Sequence, residues 1–256
     1  MAARSQRIII KFGSGILTNL KGNTLDKGQF ARLSAEVAAL VKKGHECLIV
    51  SSGAVAAGMS VLGLTDRPKN LSARQACAAV GQTKLMQQYA AVFAKHGLNV
   101  AQLLLTHSDL DSRARHANAR NTLQHLLVQK NVVPVINEND SVAVEELNFG
   151  DNDRLSAEVA LLVEADLLFL FTSVDGVLDG TGKPVAEVRD FEAVAGLVRL
   201  DKGRTSVGGM TTKLQAAKIA VDHGVATRIL NGRTPGLLAA ALAGKQVGTY
   251  FPAKRR

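Results

Sequence analysis

"DKGQFARLSAEVAALVKKGHECLIVSSG", residues 26–53, carries both of the periodicities that decide the fold. In its first part Leu33, Val37, Leu40 and Val41 recur at the spacing that gathers side chains on one face of a helix. Asp26 with Gln29 resembles a capping box and Gly44 is a stop signal, so the stretch predicts a helix over 26–44. The second part, "ECLIVSSG" (46–53), is a short continuous apolar run ending in small polar residues and glycine. That is the pattern of a strand buried on both faces. Upstream, "RIIIKFG" (7–13) reads the same way. A buried strand, a long helix and a second buried strand make a βαβ unit with parallel strands.

Moving outward, the alternation continues. Gly53 makes a turn into helical "AVAAGM", an alanine-rich helix covers about 71–95, and "NVAQLLLT" (99–106) is a strand. A helix over 117–129 leads to the strand "VVPVIN" (132–137), and "EELNF" (145–149) reads as a short exposed strand. A helix over 154–164 places Leu155, Val159 and Leu162 on one face, followed by strand and turn in "DLLFLFTSVDG" (166–176). Helix 210–224, strand "ATRILNG" (226–232), helix 235–244 and an edge strand near "GTYF" (248–251) complete the chain. The expected class is α/β: a three-layer α/β/α sandwich around a mostly parallel central sheet. No linker or repeat divides residues 1–256, so one domain is expected.

Composition narrows the function classes. Hydrophobic residues make up 46% with only 5 prolines, enough for a sizeable core and unlike a disordered chain. The three isoleucines before Lys11 are too short a run for a signal-peptide core, and "LLFLF" (167–171) falls far short of a membrane span. Cys47 and Cys77 lack metal-ligand spacing, so two reduced buried thiols and a cytoplasmic location are expected. The net charge of +9 invites a nucleic-acid partner. Yet the basic residues are scattered, aromatic–basic interleaving is missing, and the one dense cluster is the terminal "KRR" (254–256). Attraction of small polyanions explains the excess as well as RNA does.

In parallel sheets ligands bind beyond the carboxyl ends of the strands. The unusual residues fall there: Lys11, Gly13, Ser14 and Gly15; Ser51, Ser52 and Gly53; Asn137 to Asp140; Thr172 to Gly176. No Walker A loop is present, since "GTGKP" (180–184) has proline where the metal-binding hydroxyl belongs, and no GxGxxG follows a strand. Glycines instead open two helices, in "SSGAVAAG" (51–58) and "SVGGMTTK" (206–213), where backbone N–H groups can approach an anion. Lys11 interrupts a buried strand; a lysine snorkelling from a sheet end is the plain alternative. Lys213 follows Gly208–Gly209 by one helical turn; the plain alternative is an exposed helix lysine. In "GDND" (150–153) one residue serves as a helix cap, but one cap does not need three polar residues. His107, His116, His125 and His223 lack metal or triad spacing and are assigned no chemistry. Lysines and amides for phosphates, Mg²⁺ between the phosphates and carboxylates to orient the lysines point to phosphoryl transfer from a nucleotide. The residues alone stop at a small-molecule kinase of non-P-loop type.

Longer strings say more. "IIIKFGSGILT", "IVSSGAVAAGM", "AAVGQTKLMQQY", "LLLTHSDLDSR", "NARNTLQHLL", "VPVINENDSVAVEE", "FGDNDRLSAEVA" and "VGGMTTKLQAAKIA" occur in order. In them the chain resembles the glutamate 5-kinases of the amino-acid kinase superfamily. The resemblance implies ATP-dependent phosphorylation of the L-glutamate γ-carboxylate, the first step of proline synthesis, with Mg²⁺. It makes Lys11 and Lys213 the phosphate-binding lysines and Asp153 the residue that orients them. Ser52, Asn137, Asp140 and Asn152 would bind glutamate. Lys11, Gly13, Thr172, Ser173, Val207, Gly208, Gly209, Met210, Thr211, Thr212 and Lys213 would bind ATP. Two places depart from the family pattern: Thr172-Ser173 stands for Thr-Asp, and Ser206-Val207 for Gly-Thr. The resemblance further implies a homo-oligomer, dimer or tetramer, and a transient contact with glutamyl phosphate reductase. Many relatives carry a C-terminal PUA domain; none is expected in this chain, and neither a nucleic acid nor a membrane is expected as partner. Acetylglutamate kinase and aspartokinase are the alternatives within the superfamily, and the "NEND…GDND" pair speaks against both. A catalytically inactive amino-acid sensor is the alternative outside enzymes; Lys11, Asp153 and Lys213 speak against it.

Overall fold

β1 (Arg7–Phe12) is the centre of the sheet, with β2 (Glu46–Ser51) hydrogen-bonded on one side and β5 (Leu167–Thr172) on the other, both parallel to it. The computed structural model describes residues 5–19, 21–143, 151–200 and 209–254. β3 (Asn99–Leu105), β4 (Val132–Glu138), β6 (Ala226–Asn231) and β7 (Thr249–Phe251) complete seven strands in the order β3-β4-β2-β1-β5-β6-β7. Among the described strands β7 alone runs antiparallel, against β6. The helices are α1 (Ser14–Leu17), α2 (Lys27–Lys42), α3 (Ala54–Val61), α4 (Leu71–Ala94), α5 (His107–Asp111) and α6 (Arg113–Leu127). They continue with α7 (Asp151–Leu162), α8 (Phe191–Leu200), α9 (Gly209–Asp222) and α10 (Leu237–Leu242).

Strand alternation sorts the two cores. Ile8, Ile10 and Phe12 face α2, α3, α4 and α10, whose Phe30, Leu33, Met59, Leu85, Tyr89 and Leu238 fill that side. Ile9, Leu48 and Val50 face the other layer, where Leu123, Leu155, Val159, Leu214 and Ala217 of α6, α7 and α9 pack. Lys11 shares the parity of Ile9, so its side chain enters the layer of α7 and α9.

Several elements differ from the sequence expectation. α7 begins at Asp151 rather than 154, so Asn152 and Asp153 stand in its first turn, where free N–H groups and the helix dipole favour side-chain oxygens. α6 begins at Arg113 rather than 117 and ends at Leu127. α1, α5 and α8 were not expected; α5 starts with a full capping box between Thr106 and Asp109. At α2 only half of the expected box forms: Asp26 accepts from the Gln29 N–H, while the Gln29 side chain donates to the Gly232 carbonyl instead. The strand expected at 145–149 lies outside the described residues.

α3 and α4 cross with their backbones in contact. A Cβ added at Gly58 would stand 1.8 Å from the Cys77 carbonyl oxygen, and one added at Gly81 would stand 1.8 Å from the Ala54 carbonyl oxygen. Glycine is required at both positions by space, not by dihedral angle. Gly81→Ala should therefore lower stability by about 1–3 kcal/mol or more, since rigid backbone has to move. Gly196→Ala, inside α8 where an added Cβ meets nothing within 4 Å, should instead raise it by about 0.5–1 kcal/mol. Thermal and urea melts of the two variants check the contrast.

Candidate active site

Three charged side chains from three elements converge beyond the carboxyl end of β1. Lys11 Nζ lies 2.6 Å from Asp153 Oδ1, and Lys213 Nζ lies 3.1 Å from Asp153 Oδ2. All three are buried: Lys11 is 4% exposed, Asp153 1% and Lys213 7%. Lys11 sits in β1, Asp153 in the first turn of α7 and Lys213 in the second turn of α9. Neither plain alternative holds, since Lys11 does not reach for solvent and Lys213 is not a surface lysine. Thr212 Oγ1 donates to Asp153 Oδ2 at 2.8 Å, and Lys213 Nζ also donates to the Gly209 carbonyl at 3.0 Å. Ser156 Oγ closes the turn by donating to the Asp153 carbonyl at 2.6 Å.

The charges do not cancel. Two ammonium groups share one carboxylate, and an unbalanced buried charge is costly unless an anion joins it. Burial, and after it the charge of Lys11, brings the Lys213 ammonium down to about 8, with Asp153 working against the drop. Burial alone would raise the Asp153 carboxyl. The charges of Lys11 and Lys213, with hydrogen bonds from Lys11 and Thr212, hold it below the ordinary carboxylate range instead. The cluster is thus a preformed place for negative charge.

Its surroundings leave room for an approaching group. A Cβ at Gly13 would come 3.3 Å from Lys11 Nζ, so glycine keeps that amine uncovered by side chain. Thr172 ends β5, next to β1, with Ser173 directly after it, and the Thr172 carbonyl accepts from the Gly232 N–H at 2.7 Å. Gly209, Met210 and Thr211 form the first turn of α9 beside Thr212 and Lys213. Val207 and Gly208 lie outside the described residues, as does Ser206. Among the described residues no group of three or more His, Cys, Asp or Glu is placed to hold a metal ion.

One residue before Asp153 a second network starts. Asn152 Nδ2 donates to Ser52 Oγ at 3.0 Å and to Asn137 Oδ1 at 3.2 Å. Asn152 Oδ1 is buried and meets no donor among the described residues. Ser52 is set by Gly53, whose φ of 101° opens α3 in the left-handed region that favours glycine. Asn137, 1% exposed, comes from the end of β4. Asp140 follows three residues later, in the turn closed by the Ala143 N–H on the Asn139 carbonyl. Its charge acts on Arg67, offsetting the lowering that burial and then Arg74 impose on that guanidinium. Ser52, Asn137 and Asn152 are therefore joined by hydrogen bonds, whereas Asp140 sits beside a basic pair.

Sequence reading missed four participants. Gln82 accepts from Asn137 Nδ2 at 2.9 Å, yet a glutamine inside an alanine-rich helix carries no signature. Arg67 and Arg74 precede and open α4 without any motif. His107, assigned no chemistry, is buried and bonds Glu158 Oε2 through Nδ1 at 2.9 Å; Glu158, beyond that bond, also accepts from Arg154. This group ties α5 to α7.

The profile of the Amino acid kinase family matches residues 6–231. "Glutamate 5-kinase" of Thermus thermophilus is 48% identical over 258 residues, covering 98% of this chain and 69% of that protein. The protein of the same name from Geobacter metallireducens is 48% identical, covering 96% of this chain and 67% of its own length. Among solved structures, UMP kinase from Bacillus anthracis superposes with a TM-score of 0.63 at 18% identity, over 98% of both chains. N-acetylglutamate synthase from Neisseria gonorrhoeae superposes with a TM-score of 0.71 at 14% identity, over 99% of this chain and 61% of that one. At such low identity these two speak for the fold alone. The profile spans the sheet from β1 to β6, and the relatives keep nearly half of all residues over almost the full chain: this chain belongs to the amino acid kinase family.

Proposed function

We propose that the chain transfers the γ-phosphoryl group of ATP to the side-chain carboxylate of L-glutamate, the reaction that its relatives' name denotes. The observation that carries the proposal is the buried Lys11–Asp153–Lys213 cluster, positively charged in sum and placed at the carboxyl end of β1. A carboxylate oxygen of glutamate attacks the γ-phosphorus, the bond from that phosphorus to the β-bridging oxygen breaks, and ADP leaves with the bond's electrons. The product is the acyl phosphate glutamyl 5-phosphate. No proton has to move. The protein therefore contributes position and fixed positive charge, which act strongly in a site shielded from water.

In this reading Lys11 and Lys213 meet the phosphoryl oxygens and Asp153 holds the two ammoniums apart at set places. Gly13, Thr172, Ser173 and residues 209–213 serve the nucleotide side, and the resemblance assigns Val207 and Gly208 to ATP as well. Thr212 acts there through its hydrogen bond to Asp153. Mg²⁺ enters as part of the MgATP substrate. Ser52, Asn137, Asp140 and Asn152 take the amino acid, and the Asn152 side-chain oxygen, which meets no donor among the described residues, and the Asp140 charge serve its ammonium. The proposal further includes a single kinase domain, cytoplasmic location, a homo-oligomer, and a transient handover of product to the reductase that consumes it. The handover is supported by the lability of acyl phosphates.

Glutamate-dependent release of ADP by the purified protein, with hydroxylamine trapping the acyl phosphate, tests the function directly. ADP release indifferent to glutamate would refute it. Lys213→Met keeps the stem and removes the ammonium, so kcat should fall about a hundred-fold or more, as for loss of one preorganised charge donor, with little change in nucleotide affinity. Steady-state kinetics with a melting curve reads this, and near-normal kcat would remove Lys213 from the mechanism. Because Lys213 titrates at about 8 before nucleotide binds, its charge is lost as pH rises through that value. The kcat/KM for MgATP should accordingly decline above about pH 8, and the decline should vanish in Lys213→Arg, which stays charged. Asp140→Ala should raise KM for glutamate about ten- to a hundred-fold while leaving KM for ATP nearly unchanged, since one charge-assisted hydrogen bond goes. Equal shifts for both substrates would place Asp140 elsewhere.

A further inference from the structure

We infer that Gln82 is a positioning residue that sets the direction of a chain of side-chain amides and thereby keeps the Asn152 carbonyl oxygen aimed at the amino-acid ammonium. The inference rests on the proposed glutamate site and adds to it a residue that does not touch the substrate.

A carboxamide offers two N–H donors on one end and an acceptor on the other, and only its neighbours decide which end faces which way. Four amides stand in line here. Asn152 spends both N–H groups, on Ser52 Oγ at 3.0 Å and on Asn137 Oδ1 at 3.2 Å. Asn137 passes its own N–H to Gln82 Oε1 at 2.9 Å, and Gln82 passes its N–H to Gln102 Oε1 at 3.0 Å. Every link donates in the same sense, from α7 through β4 and α4 to the edge strand β3. The consequence falls at the inner end. With its donors committed, Asn152 presents its buried Oδ1, which meets no donor among the described residues. An ammonium can only donate, so an acceptor there is what it needs.

Gln82 is the control point, because Asn137 is otherwise free to turn over. If Gln82 offered no acceptor, Asn137 could rotate its N–H end towards Asn152. Asn152 would then have to answer with its oxygen and show the site an N–H, which repels an ammonium. Gln82 is well anchored for the task. It follows Gly81, whose backbone rests on the Ala54 carbonyl of α3, two residues after Ser52. The backbone contact thus fixes Gln82 relative to the other end of the Asn152 bond pair.

The test compares Gln82→Met, which fills the space without hydrogen bonding, with Gln82→Glu, which still accepts from Asn137 but cannot donate to Gln102. KM for L-glutamate, KM for ATP, kcat and the inhibition constant of glutarate, a dicarboxylate without the ammonium, are measured for each alongside the wild type. Gln82→Met should raise KM for glutamate about tenfold, as for loss of one hydrogen bond to a charged group, while kcat, KM for ATP and glutarate inhibition stay near wild type. Gln82→Glu should restore KM for glutamate to near the wild-type value. Should Gln82→Met melt early, Gln82→Lys serves instead: its ammonium only donates, and it should raise KM for glutamate at least as much. Unchanged glutamate KM in the Met and Lys variants overturns the inference. So does a Glu variant as impaired as Met, or a parallel loss of glutarate inhibition, either of which means that Gln82 merely packs. If the wild type itself makes no acyl phosphate from glutamate, the proposed function falls, and the inference falls with it; an active wild type beside unaffected variants refutes the inference alone.

Discussion

Everything at the strand ends depends on one carboxylate held between two buried ammoniums. Asp153 joins β1 through Lys11 and α9 through Lys213, while its own helix, α7, packs over the centre of the sheet. Taking Asp153 away would leave two buried ammoniums unpaired, at a cost of about 3–5 kcal/mol. The cluster is therefore both a structural joint and a stored imbalance of charge. Apolar residues would join those elements at least as well. What apolar residues cannot supply is a water-poor site that already carries the sign opposite to phosphate.

The first turn of α7 divides the work. Successive helical side chains point about 100° apart. Asn152 and Asp153 thus serve different neighbours: Asn152 turns to Ser52 and Asn137, Asp153 to Lys11 and Lys213. In the proposed reaction one network holds the acceptor and the other the phosphoryl group. Their relative placement is fixed by a single peptide bond, the shortest tether a chain can offer. Reacting atoms must be held at close distance for transfer, and a helix turn packed on the sheet is a stiff support for both.

Much of this was legible in the sequence because it broke local rules. A lysine in "IIIKFG" has no business in a buried strand, and "GDND" spends more polar residues than a helix start needs. Both irregularities mark residues that the fold joins: Lys11 with Asp153 in the buried cluster, and Asn152 with Ser52 and Asn137 beside it. The α/β class followed from the alternation of buried strands with amphipathic helices, since each period is a local property. What stayed hidden was non-local or unmarked. The strand order places β5 beside β1, a pairing of residues far apart in sequence that no local pattern encodes. α5 was passed over although Thr106 and Asp109 spell its capping box, because the apolar strand pattern runs straight into it. The early start of α7 was missed because Asp and Asn read equally well as cap and as first turn. Gln82, Arg67 and Arg74 act through partners that only the folded chain brings near them.

The contact between α3 and α4 has a mechanical side. Helices separated by side chains can slide, because rotamers absorb small shifts; helices whose backbones touch at Gly58 and Gly81 lack that cushion. α3 and the part of α4 that carries Gln82 consequently move as one stiff block, whereas Ser52, just ahead of α3, is tied to the sheet by its N–H on the Phe12 carbonyl. A hinge cannot lie between the two helices, so any displacement of Gln82 from the strand ends has to swing both helices together as a single lever, with its pivot in the segments that join them to β2 and β3, Ser52 and Gly53 among them.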